Sequence, residues 1–298
     1  MAKIISSVDQ IDFTVEELPV MPLPQKVLMV EPTYFDVEYV INPHMENQIG
    51  NVDNLKARRE WQKLFDGFEN IGYEVAVIEG KPGLPDMVFC SNHALPHIDE
   101  DGQLRVLMST MRTTQRKDEV AHLEPWLRQH GYEVLHLDPA TGISFEGMGD
   151  AIWHTGRKLL WGGYGIRTDF KAHEQISKMF DVPVIALELI DETFYHLDTC
   201  FCALDEESVL IYPGAFTKQG LELIHSLYTH VLEAPEVEAK RKLAVNATCP
   251  NGNDVLIQRG ASLTNKKLQE NGFSVYEFST DEFVKSGGSV FCMKLMLW

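Results

Sequence analysis

Apolar positions along this chain alternate between helical spacing and short unbroken runs, and the alternation recurs. Val27 to Val30 is a continuous apolar run of the kind that fills a strand buried on both faces. From Leu55 to Phe68 the large side chains Trp61, Leu64, Phe65 and Phe68 return to one helical face. Gly72 stops that helix, and Tyr73 to Ile78 reads as the next strand. The same order of helix, glycine, aromatic, any residue and valine reappears at Leu127 to Leu137, through Gly131-Tyr132-Glu133-Val134. It returns at Leu268 to Val275, through Gly272-Phe273-Ser274-Val275. Ile176 to Leu187 and Leu221 to Leu232 repeat it without the glycine. Further strands flank these units at Leu104–Met108, Lys158–Trp161 and Val209–Tyr212. About five helix-to-strand units with more than one strand per helix predict a closed or stacked repeat assembly, not a simple doubly wound sheet.

Residues 1–25, punctuated by Pro19, Pro22 and Pro24, read as a lead-in that could serve as a lid or an oligomer contact. Residues 26–298 carry the repeat as one domain. At the other end, Ser279 to Glu282 predicts a capping box opening a short helical turn. Gly287 and Gly288 are expected to end that turn at positive φ, and an apolar strand carrying Cys292 follows.

Composition narrows the function. The chain has 298 residues, enough for a large core, and a net charge of -18, which excludes a nucleic-acid backbone as partner and favours a cationic small molecule. Five cysteines without framework spacing read as free thiols in a reducing compartment. With no leader-like start and no bilayer-length apolar run, a cytoplasmic location is expected, with no membrane partner. No metal or other cofactor is expected: Pro96 breaks the helical register that would align His93 with His97, and Cys200 and Cys202 have no second pair.

Polar clusters set among apolar strands carry the candidate chemistry. Asp86 and Asn92 lie in Pro85-Asp-Met-Val-Phe89-Cys-Ser-Asn92, where an extended backbone would put both on one face. Glu146 and Asp150 flank glycines in Phe145-Glu-Gly-Met-Gly-Asp150, so both could reach one small ligand. His196 and Asp198 share a face of the strand expected at Phe194-Tyr-His-Leu-Asp-Thr199. With Cys292 these supply a nucleophile, an acid or base, a carboxylate to orient it, and further acids, as chemistry on a cationic carbon requires.

These ordered motifs, together with Gly287-Gly-Ser-Val-Phe-Cys292, resemble the guanidino-group-modifying superfamily, the penteins, from about Lys26 onward. The resemblance implies an α/β fold, a five-bladed propeller of ββαβ units around a central channel. Asn92, where deiminases and dimethylaminohydrolases typically carry aspartate, is most similar to the arginine dihydrolases. It implies hydrolysis of arginine through a covalent thiouronium on Cys292, giving ornithine, ammonia and carbon dioxide. Asp86 and Glu146 are then expected to clamp the guanidinium, with Asn92 as neutral neighbour, Asp150 in support and Phe89 at the substrate. His196, oriented by Asp198, is the expected acid and base. Arg116 and Arg167 match the family's cations for the substrate carboxylate. The chain departs from the family pattern at Asn246 to Gly252 and at His93. Deimination or dimethylaminohydrolysis to citrulline, amidino transfer to an amine, and a non-catalytic arginine-binding module stand as alternatives. Free, methylated or acylated arginine and agmatine all remain open as substrate, and a homo-oligomer is compatible with any of them.

Overall fold

The computed structural model describes residues 2–298. It opens with β1 (Lys3–Ile5). A first unit follows as β2 (Lys26–Val30), α1 (Asn54–Asn70) and β3 (Glu74–Ile78). The second has β4 (Ala94–Ile98), β5 (Leu104–Met108), α2 (Val120–Gln129) and β6 (Glu133–Leu135). The third has β7 (Ala151–Trp153), β8 (Leu160–Tyr164), α3 (Phe170–Phe180) and β9 (Pro183–Glu188). The fourth has β10 (Phe201–Ala203), β11 (Ser208–Ile211), α4 (Lys218–Leu227) and β12 (His230–Glu233). After α5 (Glu236–Lys242) the fifth consists of β13 (Asp254–Gln258), α6 (Ser262–Glu270) and β14 (Ser274–Phe278). The chain ends with α7 (Asp281–Val284) and β15 (Leu295–Leu297).

Each unit owns a separate small sheet. In each, two parallel strands are joined through a helix, because a parallel pair needs a crossover. Antiparallel strands β4, β7 and β10 precede their pairs, and β15 closes the first unit from the far end of the chain. The fifth unit has only an isolated bridge, Thr248 to Leu256, in that place. The chain is thus mixed α/β, and the repeat read from periodicity is the repeat observed.

The glycine of the recurring pattern has a local cause. Gly72, Gly131 and Gly272 adopt φ of +92°, +87° and +91° just past α1, α2 and α6. That left-handed residue lets the chain turn from helix into strand, and Tyr73 N and Phe273 N then donate to Phe68 O and Leu268 O. In the third unit Asp181 fills the position at φ +50°. At the other end of α1, the Asp53 side chain accepts from Lys56 N, capping the helix that buries Trp61, Leu64 and Phe68.

Several local expectations need correction. Residues 1–25 are not a bare lead-in: β1 pairs in parallel with β9, and Ile5, Val15, Leu18 and Met21 are buried. Asp86 and Asn92 sit on consecutive 3-10 turns, not an extended run, and His196 and Asp198 occupy another turn before β10. Cys292 lies in the turn ahead of β15. The capping box expected from Ser279 and Glu282 does not form: Thr280 precedes α7, the Ser279 hydroxyl donates to Glu60 Oε1, and Glu60 Oε2 accepts from Glu282 N. Gly287 has φ +87°, whereas Gly288 is required for space: a Cβ there would stand 2.3 Å from the Phe89 ring. Among the described residues no helix is long and apolar enough to cross a membrane.

Removing the fully buried Phe68 ring from the α1 face should lower stability by about 3–5 kcal/mol. Leu55→Ala, on the exposed side of the same helix, should change it by less than about 0.5 kcal/mol. Urea unfolding midpoints of both variants test this packing.

Candidate active site

The polar clusters fall in the connections that lead into or out of the antiparallel strands, where backbone is free of the sheet ladder. Glycines allow these connections to touch. Gly147, at φ +57°, would place a Cβ 2.7 Å from Ala94 N, and a Cβ on Gly149 would lie 2.3 Å from Asn92 Nδ2. Asp86, Phe89, Asn92, Arg116, Arg167 and Cys292 line one small cavity, with Ile41, Asn42, Met45, Tyr195 and Ser286 completing its wall.

Cys292 is buried, and its thiol donates to Asp198 Oδ2 at 3.1 Å. The second oxygen, Asp198 Oδ1, is buried without a partner. Asn246 fastens the Cys292 thiol: its Nδ2 donates to Cys292 Sγ at 3.2 Å and to Asp198 O at 2.9 Å, while its Oδ1 accepts from Ser289 N. Burial and then the charge of Asp198 push the Cys292 thiol well above its ordinary range. Burial also carries Asp198 up to about 7, against the pull of the Cys292 hydrogen bond and the charge of Lys294.

A second cluster forms around Glu146. His196 Nε2 lies 2.6 Å from Glu146 Oε2, to which Arg167 Nη1 donates at 3.0 Å. Arg112 N holds the other oxygen at 3.0 Å. Burial by itself would raise Glu146, but the His196 hydrogen bond and the fields of His196, Arg167 and Arg116 outweigh it and bring the carboxyl to about 2. Asp150 Oδ1 accepts from Leu197 N, fixing the His196 turn from beneath. Burial lifts its carboxyl to about 6.

The third cluster orients Asn92. Arg116 Nη1 donates to Asn92 Oδ1 at 2.8 Å, leaving Asn92 Nδ2 facing His196 Nδ1 at 3.5 Å. The rest of Arg116 is spent on Glu119, Asp86 O and Phe89 O. His93 Nε2 meets Glu119 Oε2 at 2.8 Å and lies 3.4 Å from Arg116 Nη2, so its ring reaches the Asn92 side chain through Arg116. Asp86 accepts from Ser286 Oγ at 2.7 Å and Tyr39 OH at 2.9 Å, and burial lifts it to about 6.

All the candidate residues therefore gather, but with different partners. Glu146, expected in the guanidinium clamp, has both oxygens taken by His196, Arg167 and Arg112 N. Asp198, expected to orient His196, is bonded to Cys292. Arg116, expected at a substrate carboxylate, has its donors engaged within the protein. Arg167 also donates to Ile41 O and stands 4.9 Å over the Tyr195 ring. Sequence reasoning missed Asn246, Tyr39, Ser286, Arg112 and Glu119. Of these, Asn246 left a signal, as the first residue of the stretch that departs from the family pattern. Among the described residues, no group of three or more His, Cys, Asp or Glu side chains could hold a metal.

The raised carboxyl of Asp86 has a stability consequence with a definite sign. Its pKa goes from 3.8 to about 6 on folding, so the ionised group subtracts stability as pH rises through that window and fully above it. Asp86→Asn should stabilise the unliganded fold by about 1–3 kcal/mol above about pH 6 and by little below about pH 4. Thermal denaturation at the two pH extremes measures it; an equal effect at both would contradict the assignment.

Comparison with known proteins identifies the family. The family model for eukaryotic N,N dimethylarginine dimethylhydrolase matches residues 31–297. The bifunctional arginine dihydrolase/ornithine cyclodeaminase ArgZ of Synechocystis is 36% identical over 273 residues, 91% of this chain and 37% of that protein. The chain thus spans little more than a third of that relative. The N(G),N(G)-dimethylarginine dimethylaminohydrolase of Mycobacterium tuberculosis is 31% identical over 274 residues, 92% of this chain and 86% of that one. A crystal structure of the N-terminal domain of ArgZ, a cysteine-to-serine mutant bound to substrate, is 33% identical with a TM-score of 0.86, covering 91% of this chain and 97% of that one. The chain belongs to the dimethylarginine dimethylaminohydrolase family, within the guanidino-group-modifying pentein superfamily.

Proposed function

We propose that the chain hydrolyses the guanidinium group of arginine twice, as an arginine dihydrolase, releasing ornithine, two ammonia and carbon dioxide. The observation that carries this reading is Asp198, which accepts from the Cys292 thiol with one oxygen and keeps the other buried and unbonded. A planar cation with several N–H donors supplies what that oxygen lacks. The clamp is accordingly Asp86 with Asp198, and Glu146 becomes the partner that holds His196. Arg167, with Arg112 Nε on its carbonyl, supplies positive charge for the substrate carboxylate. On this reading the five units are the blades of a closed five-bladed propeller, and the connections at one end of its channel form the site.

Cation binding offsets the charges on Asp86 and Asp198 and turns the field at the sulfur in favour of thiolate. The thiolate attacks the guanidinium carbon, the C–N bond breaks, and protonated His196 gives its proton to the nitrogen that leaves as ammonia. Neutral His196, held through Nε2 by Glu146, then takes a proton from water. The resulting hydroxide attacks the thiouronium carbon and the sulfur departs, leaving a ureido group. A second round expels the second ammonia and forms a thiocarbamate, and its hydrolysis yields a carbamate that falls apart to ornithine and carbon dioxide.

Asn92 suits the second round. Because Arg116 occupies its oxygen, the side chain can offer only N–H to a neutral ureido oxygen, where a carboxylate would repel it. The relationship to dimethylarginine hydrolases supports a second reading, release of dimethylamine from a methylated arginine. The apolar wall of Phe89, Ile41 and Met45 could accept methyl groups.

Incubation with arginine should give two ammonia per ornithine without accumulating citrulline. Asn92→Asp should shift products toward citrulline, and unchanged ornithine yield from that variant would remove Asn92 from the second step. Cys292→Ser should lower turnover by roughly 10³-fold or more while arginine still binds, as titration calorimetry would show.

A further inference from the structure

Lys294 follows Cys292 by two residues and takes no part in the chemistry above. Its side chain is 1% exposed, yet its ammonium has no hydrogen bond and no carboxylate at ion-pair distance among the described residues. Its Nζ lies 3.3 Å from the centroid of the Phe291 ring. Burial lowers its pKa to about 8, and the more distant field of Asp198 offsets that penalty only in part.

This side chain lines a cavity of about 80 Å³ that shares no wall residue with the Asp86–Cys292 cavity. Met21, Met148, Ile152, Met296 and Trp298 make it apolar, and no Asp or Glu side chain lines it. The stretch Met21 to Pro24 runs along its edge, held by Met21 N to Gly156 O and Trp298 Nε1 to Pro22 O. The Thr248 hydroxyl is a further polar group on the wall. His154, also on the wall, has both ring nitrogens engaged, by Glu206 O and Trp161 Nε1.

We propose that this cavity is a binding site for a monocarboxylate with a short apolar chain, its carboxylate seated on Lys294 Nζ. A buried cation with no ion pair asks for an anion, and walls of methionine, isoleucine and tryptophan ask for hydrocarbon; one molecule of this class answers both. The space admits several water-sized groups, enough for a carboxylate and a few methylenes. A cationic ligand would face Lys294 uncompensated, and an uncharged alcohol would leave the ammonium without its counter-ion.

Titration calorimetry of the full chain, without arginine, with hexanoate, hexylamine and 1-hexanol tests the site. Hexanoate should bind once per chain, and hexylamine and 1-hexanol roughly tenfold or more weaker. Lys294→Met, which keeps the side-chain volume, should weaken hexanoate by a similar factor. Leu23→Trp, which adds bulk at the half-buried edge of the cavity, should weaken it with Lys294 intact. Absence of hexanoate binding, hexylamine binding as tightly, or equal hexanoate affinity in Lys294→Met would overturn the proposal. Should Lys294→Met fail to fold, Leu23→Trp and the ligand series on the unmutated chain decide it.

Discussion

Carboxylates held out of water where the strand ends converge govern the rest of this structure. Asp86, Glu146, Asp150 and Asp198 are all almost wholly buried, so each bears the desolvation cost of its charge. Only Glu146 meets enough cationic partners to stay well below the ordinary range. The three aspartates rise to about 6 or 7, and one oxygen on each of Asp150 and Asp198 has no partner. The unliganded site is thus short of positive charge. A guanidinium would lower the energy of the carboxylates and, in the same event, make the neighbouring thiol easier to ionise.

Holding such a site together requires hydrogen bonds that cross between units. Asn246, which follows α5, ties the Cys292 turn to the Asp198 turn through a single amide. Arg116, just before α2, joins Asn92, Asp86 and Phe89 to the buried Glu119. Loss of either would strand several buried polar groups at once, which is more costly than loss of one exposed contact. The glycines at 147, 149 and 288 belong to the same device, since side chains there would push the turns apart.

The scaffold itself is generic. Each helix-crossed parallel pair satisfies its own backbone, while α1 also packs on β14, α4 on β9 and α6 on β12, so neighbouring units bury one another's faces and leave their connections free to vary. The candidate site resides in those connections and in the turn before β15. Lys294 shows how close a second environment lies: two residues beyond Cys292, the chain already faces a different, apolar cavity.

The amino-acid order was sufficient for the five helix-to-strand units, because helix periodicity, a left-handed glycine stop and an apolar strand are all local signals. It was likewise sufficient to single out Asp86, Asn92, Glu146, Asp150, His196, Asp198 and Cys292, since acids and a thiol framed by apolar runs stand out. Their pairings were not legible. Whether His196 meets Asp198, two residues away, or Glu146, 50 residues away, depends on which turns the glycines bring into contact, and the folded chain chose Glu146. Arg116 reads in the sequence as a cation for the substrate carboxylate, whereas burial turns its donors onto Asn92 and Glu119. Asn246 and β1 were hidden for the same reason: an asparagine in a loop and three residues near the start acquire meaning only from partners far along the chain, and only tertiary packing supplies those.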